Sequence, residues 1–181
     1  MKVFRKYWLH VFIWAAMMLY FLFAPDLFVR FFLKAGRPLQ AGDHIPSESN
    51  RITLVVEDIG SYIEGGEDLH SLYGWAYILP QQGHSSTGFT REIVLSSDKK
   101  VYFFAVKSNY RSPGPQSTFA AAGVDLNTLG FNTLIAEDAI QPGKYRIGIV
   151  FRDPFTGDSF YWDKPARYLV KTPNSLRLEK K

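Results

Sequence analysis

The N-terminal segment contains the longest apolar stretch of the chain. From Tyr7 to Pro25 there is no Asp, Glu, Lys or Arg, and little beyond His10 and two tyrosines is polar. At a rise of about 1.5 Å per residue, a helix of this length reaches about 30 Å, the thickness of a bilayer's hydrocarbon core. A helix packed on a soluble core would show a polar face, which this stretch lacks. The pattern therefore predicts a transmembrane helix over residues 7–25.

The flanks of this stretch suit the lipid headgroup region. Aromatic rings near both of its ends match the preference of such rings for the interface. Beyond Pro25, leucine and phenylalanine recur at helical spacing up to residue 34, with two basic residues on the opposite side. This part either continues the spanning helix or lies in the interface, with its cations at headgroup phosphates. The residues predicted to anchor the segment are Tyr7, Trp8, Trp14, Tyr20, Arg30 and Lys34.

A cleaved signal peptide is the main alternative, because basic residues precede the apolar run. A cleavage site needs two small residues, and the candidates Leu22-Phe23-Ala24 and Leu33-Lys34-Ala35 both begin with a bulky leucine. The sequence therefore favours an uncleaved, single-pass membrane anchor over residues 1–37. Basic residues abut the start of the run, whereas the first charge after it is Asp26. This asymmetry predicts a cytoplasmic N-terminus and an extracytoplasmic C-terminal domain in the cell membrane.

After the anchor, the pattern changes from a linker to strands. Residues 38–50 are polar, contain Pro and Gly, and show no periodicity, which is typical of a linker. From residue 51 onward, short runs of β-branched and aromatic residues alternate with turn-forming clusters. The predicted strands are 52–58, 62–64, 72–79, 91–96, 101–107, 131–136, 145–152 and 160–162, with 168–171 as a possible ninth.

Alternation is clearest over residues 144–152. The odd-numbered positions hold Tyr145, Ile147, Ile149 and Phe151, so one face of this strand is apolar and is predicted to pack on a second sheet. Turn-forming sequences at 97–100 and 153–158 connect neighbouring strands. Many short strands with almost no helix predict a mainly β fold, in which one antiparallel β-sandwich over residues 51–181 follows the N-terminal transmembrane helix.

Composition and charge exclude several classes of protein. The chain has 181 residues and no cysteine, which excludes disulfide frameworks, cysteine-based zinc sites and thiol nucleophiles. The net charge of +4 comes from the N-terminal segment: residues 1–37 carry six basic residues and one acidic residue, and residues 38–181 carry fifteen and sixteen. The predicted sandwich therefore lacks the basic character of a nucleic-acid-binding domain, and no nucleic-acid partner is expected.

Six sequence segments carry a resemblance to known proteins. They are residues 72–78 (LYGWAYI), 91–97 (REIVLSS) with 101–104 (VYFF), the loop at Arg111, 129–131 (LGF) and 142–149 (PGKYRIGI). Over about residues 52–152 the chain resembles a loose group of bacterial membrane-associated β-sandwich modules. Such modules occur alone on one transmembrane helix or appended to polytopic proteins such as cell-envelope glycosyltransferases. The resemblance implies a fold and an envelope setting, without a reaction.

The sequence departs from that group at one loop. The similar modules tend to carry an Arg-Pro-Asp-Val-like loop, whereas this chain reads Arg111-Ser112-Pro113-Gly114 and lacks the acid. The resemblance therefore implies no contact made by that carboxylate here.

Aromatic residues are the candidates for ligand contact. Small residues flank Trp75, so another backbone or ring can approach it closely; we interpret Trp75 as a core residue, with stacking on a sugar ring as the alternative. A second aromatic cluster lies at residues 160–162, between Asp158 and Asp163. It is either a sugar-stacking site or a part of the edge strand that packs on its neighbours. The residues predicted to contact a glycan or a partner are Trp75, Arg111, Tyr161 and Trp162.

The sequence offers no catalytic or metal site. His44, His70 and His84 lie in separate predicted loops without metal-ligand spacing, where a lone histidine is typically solvated. Adjacent acidic residues such as Glu57 and Asp58 point to opposite faces of a strand. We therefore predict no catalytic residue, no metal ligand and no cofactor.

Three function classes follow, in this order. The first is a non-enzymatic accessory or structural subunit of a larger membrane or cell-envelope complex, with the lipid bilayer and a polytopic membrane protein as partners. In it, the helix packs laterally through Ala15 and Ala16. The alternative is a glycan-binding module at the cell surface that serves envelope polysaccharide assembly. An enzyme is the third, because no catalytic motif is present.

Overall fold

The computed structural model describes residues 11–22, 36–39, 44–64, 67–79, 88–106, 129–163 and 166–180. The chain divides into two compact units, Met1–Lys34 and Ala35–Lys181. In the first unit, residues 11–22 form an α-helix on which every side chain is exposed. The rings of Tyr20 and Phe21 meet edge to face on this helix, with their centroids 5.8 Å apart.

The predicted transmembrane segment is described only in part. The helix of residues 11–22 lies within the predicted span of 7–25. Across the ranges given above, no helix is long and apolar enough to cross a membrane. Trp14 and Tyr20 lie on the helix and are exposed. The other predicted anchor residues, Tyr7, Trp8, Arg30 and Lys34, lie outside the described residues.

The second unit is mainly β, as predicted. Its described strands are β1 Arg37–Pro38, β2 Ile52–Glu64, β3 Glu67–Ile78, β4 Thr90–Ser96, β5 Val101–Ala105, β6 Gly130–Ala136, β7 Gly143–Arg152, β8 Ser159–Trp162, β9 Arg167–Thr172 and β10 Ser175–Lys180. A 3₁₀ turn, Glu137–Ala139, follows β6.

The strands form two antiparallel sheets. The larger sheet has the order β1-β5-β4-β7-β9-β10, and the smaller has the order β2-β3-β6. β8 also pairs with β7, so one edge of β7 serves two partners in succession: Ile149–Arg152 pairs with β8, and Gly143–Arg146 pairs with β9. The outermost strands of the larger sheet are β1, which contains Pro38, and the charged strand β10.

One core joins the two sheets. The odd-numbered residues 145–151 of β7 are buried there, as their alternation predicts. They meet core-facing residues of the smaller sheet such as Leu72, Ala76 and Phe131. Burying a large apolar side chain contributes about 1.5–3 kcal/mol, so the four buried side chains of β7 contribute strongly to the cohesion between the sheets.

A second, smaller apolar cluster lies on the outer face of the larger sheet. It consists of Val94, Phe103, Val150 and Tyr161, with Ile45 packed against it. The Ser49 backbone N–H donates to the Tyr161 carbonyl at 2.8 Å, which fixes the passing chain in place. The described part of the predicted linker, residues 38–39 and 44–50, therefore packs on the sandwich.

Most predicted strands are confirmed, and the main differences concern the β2–β3 hairpin, β1 and β10. The predicted strands at 52–58 and 62–64 are one strand, because a bulge between Val56 and Asp58 lets pairing with β3 continue to Glu64. β3 accordingly begins five residues earlier than predicted, at Glu67. β1 and β10 were not predicted, since the first has two residues and the second carries mostly polar and charged side chains.

Gly74 allows β2 to approach β3 closely, next to the bulge between Val56 and Asp58. A Cβ atom at Gly74 would collide with the carbonyl oxygen of Val55 and would lie 3.0 Å from both Val56 Cα and Phe131 Cζ. The small residue beside Trp75 therefore has the role expected from the sequence, which is to let a neighbouring backbone approach.

We predict that Gly74→Ala destabilises the sandwich by about 1–3 kcal/mol, because the added methyl forces two backbones and a buried ring apart. Gly60→Ala on β2 is the matched control, since no atom lies within 4 Å of a Cβ placed there. The measurement is urea unfolding of the full chain in mild detergent, followed by tryptophan fluorescence. Equal stability of the two variants would contradict this account of Gly74.

Candidate functional site

Three aromatic side chains line the outer face of the smaller sheet. Tyr73, Trp75 and Tyr77 occupy alternate positions of β3, so they share the face that points away from the core, and each is half-buried. Trp75 and Tyr77 stack with their ring centroids 6.2 Å apart and their planes 14° from parallel. Leu129 is buried against this pair. We call these three residues the aromatic surface.

Polar groups lie beside the aromatic surface. Asn132 is the direct cross-strand neighbour of Tyr73, and its Oδ1 accepts a hydrogen bond of 2.7 Å from the Ser71 hydroxyl. The Tyr73 hydroxyl donates to Asp58 Oδ2 at 3.4 Å. Burial raises the pKa of Tyr73, and the nearby Asp58 carboxylate acts in the same direction. Flat rings flanked by an amide, a hydroxyl and a carboxylate are chemically suited to a polyhydroxylated ring.

The structure separates the three described residues of the set predicted to contact a glycan or a partner, which are Trp75, Tyr161 and Trp162. Trp75 belongs to the aromatic surface, so it faces away from the main core. Tyr161 is 7% exposed, and burial raises the pKa of its phenol to about 12. Trp162 packs against the main core from the edge of the larger sheet. Arg111 lies outside the described residues. The three described residues therefore do not share one site, and Trp75 stacks on Tyr77 on the outer face of the smaller sheet.

A polar cluster connects the two sheets at the end opposite to Trp75. Lys171 of β9 donates to Glu137 Oε1 at 2.6 Å, and Glu137 directly follows β6 in the smaller sheet. Glu137 Oε2 lies 3.7 Å from His70 Nε2, and His70 Nδ1 lies 2.9 Å from the Ser61 hydroxyl. His70 and Lys171 are each only 5% exposed. We call these four residues the inter-sheet polar cluster.

Burial keeps the histidine of this cluster neutral near pH 7. Burial lowers the pKa of His70 from its ordinary value of 6.5, and the Glu137 carboxylate only partly opposes this effect. The hydrogen bond from Lys171 lowers the pKa of Glu137. Glu137 is therefore an anion paired mainly with Lys171, and the resulting ion pair bridges the two sheets.

The order Ser61, His70, Glu137 has the composition of a nucleophile-base-acid array. The separation of 3.7 Å between His70 and Glu137 exceeds hydrogen-bond length, and Lys171 already holds the carboxylate. Glu137 therefore does not orient the imidazole as the acid of a triad does. The arrangement is that of a structural ion pair with a histidine beside it.

The sequence analysis wrongly placed His70 in a loop. It lies within β3, directly opposite Ser61 of β2. A signal was present, because His70 is in phase with Leu72, Gly74, Ala76 and Ile78, the core-facing positions of the same strand. The run of Gly and acidic residues at 64–68 concealed it, since it resembles a long loop.

Metal ligation and comparisons with known proteins add no further assignment. Within the described ranges, no group of three or more His, Cys, Asp or Glu side chains could hold a metal ion. No family model, curated protein or solved structure matches the chain. The resemblance to membrane-associated β-sandwich modules therefore stays a prediction.

We predict that His70 makes the sandwich sensitive to acid. Because its pKa is lowered on folding, the unfolded chain binds a proton that the folded chain does not. This contribution to stability is complete above pH 6.5 and is lost as the pH falls below that value, with a slope of at most about 1.4 kcal/mol per pH unit. The measurement is the unfolding free energy of the full chain between pH 5 and pH 8.

The His70→Gln variant should show a flatter pH dependence in this range. His44→Gln is the control, since His44 is exposed, and it should keep the wild-type slope. An unchanged slope in His70→Gln would refute the assignment.

Proposed function

We propose that this chain is a non-enzymatic, single-pass membrane protein whose β-sandwich serves as an accessory or structural subunit of a larger membrane or cell-envelope complex. The observation that carries the proposal is the helix of residues 11–22. It has no charged residue, and large apolar side chains such as Phe12, Met18 and Leu22 are all exposed on it. An apolar helix of this kind needs lipid or protein around it.

The stretch around the helix supports a membrane location. The uncharged residues continue from Tyr7 to Pro25, which as a helix matches the bilayer's hydrocarbon core. Basic residues before this stretch favour a cytoplasmic N-terminus, with the sandwich on the extracytoplasmic side. A polytopic membrane protein is the proposed partner, contacted through the small residues Ala15 and Ala16, where a second helix can approach closely.

We predict that a polytopic protein co-purifies with the tagged full chain in mild detergent at a fixed stoichiometry. Ala15→Ile with Ala16→Ile should reduce the bound partner by tenfold or more, because larger side chains keep a neighbouring helix away. The double variant should stay in the membrane fraction after alkaline extraction. Mass spectrometry identifies and quantifies the partner, and Met17→Leu with Met18→Leu is the matched control on the same helix.

Two results would argue against this proposal, and they have different meanings. Release of the wild-type chain by alkaline extraction would show that residues 1–37 do not anchor it in the membrane. A chain that stays in the membrane fraction but purifies without a partner would contradict the accessory role. It would favour the second candidate function.

The second candidate is a glycan-binding module at the cell surface that serves envelope polysaccharide assembly. The specific observation in its favour is the stacked pair Trp75 and Tyr77 beside Ser71 and Asn132. Aromatic rings contribute to binding through area and stacking, and the neighbouring polar groups provide directional hydrogen bonds.

We predict that, in this case, envelope oligosaccharides shift the tryptophan emission of the full chain. Trp75→Ala should abolish that shift, and Tyr77→Ala should weaken binding by about tenfold, since a stacking contact is worth about 0.5–1.5 kcal/mol beyond buried area. Phe155→Ala is the matched control, because Phe155 is an exposed aromatic residue on another surface. Near-UV circular dichroism verifies the fold of each variant. Binding that survives in Trp75→Ala would exclude the aromatic surface as the site.

A further inference from the structure

A row of side chains crosses the outer face of the larger sheet. Strand pairing places Ser96 of β4 beside Arg146 of β7, Arg146 beside Tyr168 of β9, and Tyr168 beside Glu179 of β10. Paired residues point to the same face of a sheet, and Arg146 follows the core residue Tyr145, so the row faces away from the core. Neighbouring strands lie about 4.8 Å apart, so the row extends over about 14 Å.

A cavity of about 770 Å³ adjoins this row, and Ser96, Arg146 and Tyr168 line it. The turn of residues 97–100 and the segment 141–145 at the start of β7 complete its described lining. The volume lies in the range of about 300–1,000 Å³ that is typical of ligand sites. The described lining contains no Leu, Ile, Val, Met or Phe, the side chains that peptide-binding grooves use as contacts. The cavity therefore suits a hydrophilic ligand.

The Ser96 hydroxyl is a buried polar group in the wall of this cavity. Ser96 is 4% exposed, and its Oγ has no hydrogen-bond partner. Ser96 lowers the pKa of the nearby Tyr161 phenol, but the two hydroxyls fall short of hydrogen-bond geometry. An unsatisfied buried hydroxyl is unfavourable, and a native structure retains few of them. Its position indicates that a bound molecule completes its hydrogen bonding.

Two cationic side chains of β7 line the same cavity and are held in position. Lys144 Nζ lies 3.5 Å from Glu179 Oε2 and 4.7 Å from the centroid of the Tyr168 ring. Arg146 Nη1 lies 3.3 Å from Asp163 Oδ2. The Lys144 and Arg146 side chains nevertheless stay 55% and 52% exposed, so both can contact a ligand.

The turn of residues 97–100 adds two lysines to the lining. Lys99 and Lys100 are exposed, and none of the ion pairs among the described residues involves either of them. The turn itself is fixed, because the Ser97 hydroxyl accepts from the Lys100 backbone N–H and donates to the Lys100 carbonyl, each at 3.1 Å. Asp98 is the one acidic residue of the described lining.

We propose that this cavity binds an acidic oligosaccharide, a chain of sugars that carries carboxylate or phosphate groups. The lysines of the turn bind its negative groups, and its hydroxyl groups bind Ser96 and the exposed amide of Gln141. Cations alone would suit any anion, whereas a hydroxyl, an amide and a tyrosine ring beside them favour a polyhydroxylated molecule. The proposal rests on the second candidate function and extends it, because it names the charge of the glycan and a surface separate from the aromatic surface.

The test measures the binding of a fluorescently labelled galacturonic acid hexamer to the full chain by fluorescence anisotropy. The chain is kept at low salt in a polyoxyethylene detergent, which contains no sugar. The methyl-esterified hexamer is the matched neutral probe, since it has the same rings without the charges. A phosphorylated glucose hexamer distinguishes phosphate from carboxylate as the negative group.

We expect at least one acidic hexamer to bind tenfold or more tightly than the neutral one. Salt at about 0.5 M should weaken this binding strongly, because it screens exposed charges. Lys99→Gln with Lys100→Gln should weaken it by tenfold or more. Lys180→Gln with Lys181→Gln removes the same charge from the C-terminal end of the chain, and this matched control should change the affinity by less than twofold.

Ser96→Ala separates binding from folding. The variant should bind the acidic hexamer at least fivefold more weakly, because the ligand loses a hydrogen bond in the cavity wall. Its urea midpoint should stay equal to that of the wild type or rise, since the substitution removes an unsatisfied buried hydroxyl. A serine with a structural role alone would show the opposite result, a lower midpoint with an unchanged affinity.

Several results would overturn the proposal. One is equal binding, or no binding, of the acidic and neutral hexamers; another is an affinity that neither Ser96→Ala nor the Lys99 and Lys100 variant changes. Displacement of the hexamer by millimolar inorganic phosphate would assign the cavity to a simple anion. Trp75→Ala separates this proposal from the second candidate function: if it abolishes binding while Ser96→Ala does not, the glycan binds the aromatic surface and the cavity is excluded.

Discussion

The burial of alternate side chains on β7 is the constraint on which the rest of the sandwich depends. β7 pairs along one side with β4 and along the other with β8 and then β9, so most of the larger sheet is aligned by this strand. Its apolar face fixes the position of the smaller sheet. A shift of one residue in its register would place Lys144, Arg146 and Arg152 in the core, which is prohibitively unfavourable. The ion pair of Arg152 with Glu92 is a direct result, since both residues occupy outward-facing positions of their strands.

The strands were predictable where apolar and polar residues alternate along the sequence. They were not predictable where the local residues are unfavourable in a strand and only the pairing with another strand stabilises it. β4, β6, β7 and β8 are found within one or two residues of their predicted limits. The hairpin of β2 and β3 was broken in the prediction, because Gly and acidic residues near its turn are unfavourable in isolated strands. Pairing across two long strands overrides that local preference. β1 and residues 44–50 could not be predicted, since their placement depends on contacts with Phe103 and Tyr161, which are distant in the sequence.

The candidate sites were predictable in part, for a related reason. Trp75 was identifiable as a special residue from its small neighbours, but the face of β3 on which it lies depends on strand register. The sequence analysis favoured the core, whereas the indole stacks on Tyr77 on the outer face. The inter-sheet polar cluster combines residues from three strands and a 3₁₀ turn, and the ion pairs of Arg37 and Arg152 with Glu92 also join three strands. No sequence spacing could reveal that Lys171 meets Glu137, or that Arg37 and Arg152 share Glu92.

The ends of the larger sheet bear on how copies of this protein behave near one another. β1 consists of two residues, and Pro38 has no N–H to donate to an added strand. At the opposite edge, β10 carries Arg177, Glu179 and Lys180, and the first two form an ion pair of 3.0 Å. Short, proline-bearing or charged edges resist the addition of further strands. Blunted edges therefore let many copies of such a domain stand close together at high local concentration without polymerising.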